Sequence, residues 1–103
     1  MYCVILVTAS NKEEAREIAS GLIEARLAAC VNIIDAIKSV FWWQGKVDRG
    51  KEVLLVIKTK KALIKKLIKK VKSLHSYEVP EIIALPIIDG SKEYLRWIDE
   101  SLR

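Results

Sequence analysis

The chain reads as an α+β domain with the element order β-α-β-β-α-β and a further helix at its C-terminal end. Three observations predict this. Two stretches repeat apolar residues at helical spacing. Four stretches are β-branched or alternate strictly. Both prolines and the glycines other than Gly21 fall outside the helical stretches. At 103 residues the chain fits one domain, residues 1–103.

Residues 2–9, YCVILVTA, form a continuous apolar run and predict a buried strand. Ser10-Asn11-Lys12-Glu13 then reads as a capping box with Ser10 at the N-cap. Ala15, Ile18, Ala19, Leu22 and Ile23 share one helical face, and Glu14, Arg16, Glu17 and Glu24 the other, predicting a helix from about Lys12 to Arg26. From Ala29 to Trp43 the chain alternates over an unusual length. Val31, Ile33, Ile37, Phe41 and Trp43 share one parity; Ile34, Ala36, Val40 and Trp42 share the other.

A turn-rich stretch, residues 44–50, separates this strand from a third, Glu52 to Thr59, so the two predict a long hairpin. Thr59 is placed to cap a second helix carrying Leu63, Ile64, Leu67, Ile68, Val71 and Leu74 on one side. Pro80 flanks and Pro86 interrupts a fourth strand, Glu81–Ile88, which belongs at a sheet edge because proline cannot donate to a ladder. Lys92 to about Ser101 closes the chain as a helix offering Tyr94, Leu95, Trp97 and Ile98 for packing. Right-handed crossovers turn this order into a ferredoxin-like sandwich with an additional C-terminal helix and a long β2–β3 hairpin.

Composition narrows the function. Nothing reads as a targeting or membrane-spanning segment, which predicts a cytoplasmic protein. Two cysteines, Cys3 and Cys30, read as reduced thiols without C-x-x-C spacing. No phosphate-binding glycine loop, H-x-x-x-H spacing or nucleophile motif is present, so no catalytic residue is assigned and no enzyme is expected. The net charge of +5 concentrates in Lys58 to Lys72, where eight lysines fall among apolar residues. These read as the wet side of an amphipathic helix. RNA-binding domains of the same topology stack bases on aromatics of the central strands, and here those strands carry only Tyr2. No nucleic-acid or membrane partner is expected.

Five blocks, in order, cover essentially the whole chain: Leu27-Ala28-Ala29-Cys30-Val31-Asn32-Ile33, Trp43-Gln44-Gly45-Lys46, Ile57-Lys58-Thr59, Leu74 to Glu81 (LHSYEVPE), and Gly90 with Tyr94, Leu95 and Trp97. Together they resemble the CutA divalent-cation-tolerance family. Ser76 and Ala9 depart from it, standing where the family commonly has proline. The resemblance implies a ferredoxin-like subunit, a homotrimer joined through its sheets, a cytoplasmic location and a link to tolerance of divalent metals, copper in particular. It implies no obligatory cofactor; Cu2+ or another divalent cation is the ligand to expect.

The candidate metal ligands are then His75, the only imidazole, Cys30, a soft thiolate donor, and Glu81, a carboxylate beside Pro80. Each has a plainer reading: a helix-end histidine bonded to backbone, a small buried hydrophobe, a surface charge. Tyr77, Trp43 and Lys58 could line a pocket between subunits. Phe41 and Trp42 join Trp43 in an aromatic cluster at the hairpin tip, which needs a partner surface to avoid aggregation. An alternative role is a structural or signalling trimer that takes a small molecule or protein partner in that cleft.

Overall fold

A computed structural model describes residues 1–103. Its elements are β1 (Tyr2–Ala9), α1 (Lys12–Glu24), β2 (Cys30–Trp43), β3 (Lys46–Lys60), a 3-10 turn (Lys61–Leu63), α2 (Ile64–Leu74), β4 (Ile82–Pro86) and α3 (Lys92–Ser101). The four strands form one antiparallel sheet in the order β2-β3-β1-β4, so β4 does occupy an edge. No helix is long and apolar enough to cross a membrane.

The core follows from alternation in the two central strands. Cys3, Ile5, Val7 and Ala9 of β1 pair directly with Thr59, Ile57, Leu55 and Val53 of β3, and this whole set is buried on one face of the sheet. Helix α1 lays Ala15, Ile18 and Leu22 on that face, and α2 lays Leu67 and Val71. The helices approach closely at Gly21: a Cβ there would stand 2.8 Å from Leu74 Cδ1, so an alanine would require the Leu74 side chain to shift. Burying one such aliphatic side chain stabilises by about 1.5–3 kcal/mol.

Several boundaries differ from the sequence expectation, each for a local reason. The N-cap of α1 is Asn11, whose side chain accepts from Glu14 N at 2.8 Å; Glu14 reaches back to Ser10 N at 3.0 Å. The capping box is thus displaced by one residue. Arg26 adopts a left-handed φ of 58°, which ends the helix region before the chain turns into β2. Thr59 is no cap. It lies inside β3, fully buried, and donates its hydroxyl to Leu27 O at 2.7 Å, leaving α2 to start from the 3-10 turn.

The hairpin turn is only Gln44-Gly45, both with positive φ (50° and 78°), the two-residue geometry that matches strand twist. Residues 46–50, read as turn, therefore continue the ladder opposite Ser39–Trp43. The single parity assigned to β2 is also broken. A bulge at Asp35–Ala36 places two residues opposite one and rotates the rest of the strand. Val31 and Ile33 pair with Ile57 and Leu55 of the core face, whereas Ile37 pairs with Glu52 of the opposite face.

That opposite face is apolar and only partly covered. Val4, Leu6, Leu54 and Val56 are half-buried; Ile34, Ile83 and Leu85 are 46–49% exposed. Helix α3 covers one end through the fully buried Ile98. It is pinned there by Asp99, which accepts from the Tyr2 hydroxyl and pairs with Lys60 at 3.1 Å, and by Arg26 donating to Ser101 O at 2.8 Å. Tyr94 and Trp97, expected to pack, stay 43% and 42% exposed with their rings 5.4 Å apart.

Candidate functional site

The loop between α2 and β4 is tied down around His75. Its side chain is wholly buried, and both ring nitrogens are engaged. Nε2 lies 2.7 Å from Thr8 O, so it carries the proton and donates; Nδ1 accepts from Tyr77 N at 3.0 Å. With both nitrogens bonded in this way, the ring has no free lone pair for a metal. Metal coordination by His75 would require giving up one of these backbone hydrogen bonds. The plainer expectation, a ring bonded to backbone, describes His75 as it stands.

Two carboxylates outside the candidate ligand set, Glu14 and Glu52, complete this arrangement. Glu14 Oε2 accepts from Ser76 N at 2.9 Å, while its Oε1 serves Ser10 and lies 3.6 Å from His75 Nδ1. Burial pushes the Glu14 carboxyl up, but the hydrogen bonds from Ser76 and Ser10 outweigh it and hold the group below the usual carboxylate range. Glu52 of β3 accepts from the Tyr77 hydroxyl at 3.0 Å. Burial, and then this carboxylate, push the Tyr77 phenol up to about 12. The Tyr77 ring stands 4.7 Å from His75 and remains 37% exposed. A glutamate three residues after Asn11 was the signal that could have found Glu14; nothing local pointed to Glu52.

Beside this loop an open cavity of about 230 Å³ is lined by Ser10, Asn11, Lys12, Asp35, Lys51 and Glu52, among others. Lys12 pairs with Asp35 at 3.0 Å and, with the Ala36 amide at 2.8 Å, keeps that carboxyl low. Ala36 itself sits at φ 59°, a strained value for a residue with a Cβ.

Cys30 lies elsewhere, at the start of β2 opposite Lys58. Its thiol is 3.9 Å from Asn32 Oδ1, which also accepts from the Lys58 ammonium, and it lies beside Tyr94, whose phenol is raised by burial and then by the thiol. Glu81 is exposed just before β4. Nowhere in the chain do three or more His, Cys, Asp or Glu side chains converge as a metal site, so His75, Cys30 and Glu81 are not ligands of one ion within a protomer.

The proposed pocket set is also spread out. Trp43 pairs with Lys46 at the hairpin tip, twelve residues from Lys58 along β3, roughly 40 Å at the strand rise. Trp43 and Lys58 therefore cannot line one pocket within a single protomer. At the tip, Val40, Phe41, Trp42, Trp43 and Val47 are 63%, 39%, 75%, 48% and 53% exposed.

Comparison with known proteins places this architecture. The model of the CutA1 divalent ion tolerance protein family matches residues 3–101. The divalent-cation tolerance protein CutA of Thermus thermophilus is 50% identical over 98 residues, 95% of each chain. A chloroplastic CutA 1 of Oryza sativa is 49% identical over 100 residues, and there the chain spans only 56% of the relative's length. Among solved structures, that of the protein described as the periplasmic divalent cation tolerance protein CutA from Archaeoglobus fulgidus superposes with a TM-score of 0.97. It is 46% identical, with all of both chains covered. With the matched residues running through the sheet, all three helices and the His75 loop, the chain belongs to the CutA1 divalent ion tolerance family.

Proposed function

We propose that the chain acts as a cytoplasmic homotrimer in divalent-cation tolerance, by binding the cation rather than by catalysis, with copper the first ion to test. The observation that carries the assembly is the hairpin arm, whose five large apolar side chains have no covering element of their own chain. An apolar sheet face with Ile34, Ile83 and Leu85 half open adds a second surface that a neighbouring copy would bury. Closed cyclic assembly removes both liabilities.

In this reading the cation is held between copies, each protomer contributing part of the ligand set. Cys30 supplies the thiolate and Glu81 the carboxylate in this reading. The Lys58 ammonium beside Asn32 disfavours a bare cation at Cys30 unless a carboxylate joins it. His75 keeps the loop in place.

Light scattering should give three chains per particle, and Cu2+ titration in competition with a chelator should give saturable, stoichiometric binding. Cys30→Ser and Glu81→Gln should weaken that binding, and His75→Ala should do so only if the loop is itself required. Loose, non-stoichiometric binding indifferent to Cys30 and Glu81 would remove direct cation binding from this reading.

The second reading, a trimer taking a small molecule or protein partner in its inter-subunit cleft, is favoured by one observation. Trp43 and Lys58 lie at opposite ends of a hairpin about 40 Å long, so only neighbouring copies can bring them together. Tyr77, exposed beside Glu52, is the third member of that set. A small molecule retained through purification and lost in Trp43→Ala would favour this reading.

A further inference from the structure

Between Glu52 and Glu78 the chain holds eight lysines and no acidic residue. That segment carries +8, while the rest of the chain, with ten basic residues against thirteen acidic ones, carries −3. The whole basic excess of the protein thus lies on the end of β3 and on α2. In the fold, Lys60 pairs with Asp99 and Lys58 is bonded to Asn32. Lys61, Lys65, Lys66, Lys69, Lys70 and Lys72 have no carboxylate within ion-pair distance, since the chain's only lysine ion pairs are those of Lys12 and Lys60. All but Lys70 are exposed. A solvated helix face ordinarily interleaves charges of both signs; this one does not.

We infer that the outer face of α2 is a docking surface for the phosphate backbone of double-stranded DNA, bound without regard to sequence. Lys65, Lys69 and Lys72 form one row along α2, with Lys65 and Lys69 about 6 Å apart in rise. That is close to two phosphates of one strand at about 3.4 Å each. Lys66 and Lys70 form a second row about 100° around the helix. Two rows on the flanks of a convex helix about 10–12 Å across match the phosphate walls of a groove about 12 Å wide. A-form RNA has no such groove open to a helix.

The apolar stripe that would enter lipid is spent on the core, with Leu67 and Val71 fully buried and Ile64 and Leu74 packed behind them. No arginine lies on α2, so phosphate contacts dominate over base-edge readout. The expectation that these lysines are only a wet helix face came from their spacing. Their segregation and their lack of partners are what the fold adds.

The test is fluorescence anisotropy of a labelled duplex of about 20 base pairs with the full chain, between about 50 and 200 mM salt. Binding should be equal for duplexes of unrelated sequence, and log K should fall against log salt with a slope of about −4.5 to −5.4, for about five or six contacts at about 0.9 each. Lys65→Ala with Lys69→Ala should reduce that slope by about 2. Lys38→Ala with Lys46→Ala on the hairpin arm should leave it unchanged. Circular dichroism of each variant confirms folding, since all four positions are exposed. No binding at about 50 mM salt overturns the inference, as does an equal loss in the arm variant. So does tighter binding to phosphatidylserine vesicles, or to a single-stranded RNA of equal length, than to the duplex.

Discussion

The two ends of the β2–β3 hairpin are built from similar residues and behave in opposite ways. At its base, Val53, Leu55 and Ile57 are no more than 3% exposed, roofed by α1 and α2. Along its distal arm, Val40, Trp42, Trp43 and Val47 stand 48–75% exposed, though they are as hydrophobic and pair just as regularly. Hydropathy does not separate the two regions. What separates them is the bulge at Asp35–Ala36, beyond which the hairpin leaves the helices behind and becomes a two-stranded arm. An isolated two-stranded ribbon is marginal in water, and the arm's aromatic surface is what the proposed assembly would cover.

Breaking the arm should have the largest effect. Replacing Phe41, Trp42 and Trp43 together with serine is expected to abolish the trimer in light scattering while the subunit keeps its secondary structure. A trimer that survives, or a wild-type chain that is monomeric throughout, would make the arm a free limb. At the base, Ile57→Ala should cost about 2–5 kcal/mol in denaturant unfolding, because a fully buried side chain leaves a cavity between β1 and the helices. Trp42→Ala alone should change subunit stability by no more than about 0.5 kcal/mol. Near-equal costs at the two positions would erase the distinction between base and arm.

The loop against the base supplies a third test. Glu14→Gln removes a charged acceptor from Ser10 and Ser76 and should cost about 1–2 kcal/mol at neutral pH. The folded-state pKa of Glu14 is depressed, so its contribution is present above the unfolded carboxyl range and is lost as pH falls through the lower folded value. The variant should therefore show a flatter loss of stability in acid than the wild type. Identical acid limbs would mean that the carboxylate does not hold the loop.

The smallest effect belongs to the bulge. Ala36→Gly relieves a left-handed φ worth about 1–2 kcal/mol in strain and restores about 0.5–1 kcal/mol of unfolded-chain entropy, for a net gain of roughly 0.5 kcal/mol. A net loss would show that the alanine methyl is packed in the assembly.

Much of this molecule was legible in the residues. Strand β1, the burying faces of α1 and α2, the edge position of β4 and the bounds of α3 follow from periodicity and proline chemistry, because each is decided within ten or so residues of chain. Less of the candidate site was legible, since its bonds span the fold. His75 to Thr8, Tyr77 to Glu52 and Glu14 to Ser76 are separated by 67, 25 and 62 residues. Thr59 shows the same limit from the other side: a hydroxyl before a helical pattern reads as a cap, yet a carbonyl 32 residues away claims it.

By itself the sequence determined the α+β order, the hydrophobic faces and the family blocks, since these depend on local spacing and side-chain type. Only the tertiary structure decided which apolar residues are covered, which face each half of β2 presents, and that His75 spends both nitrogens on backbone. Those outcomes depend on which groups meet across the sheet. A single extra residue at Asp35–Ala36 is enough to reverse the facing of every side chain beyond it.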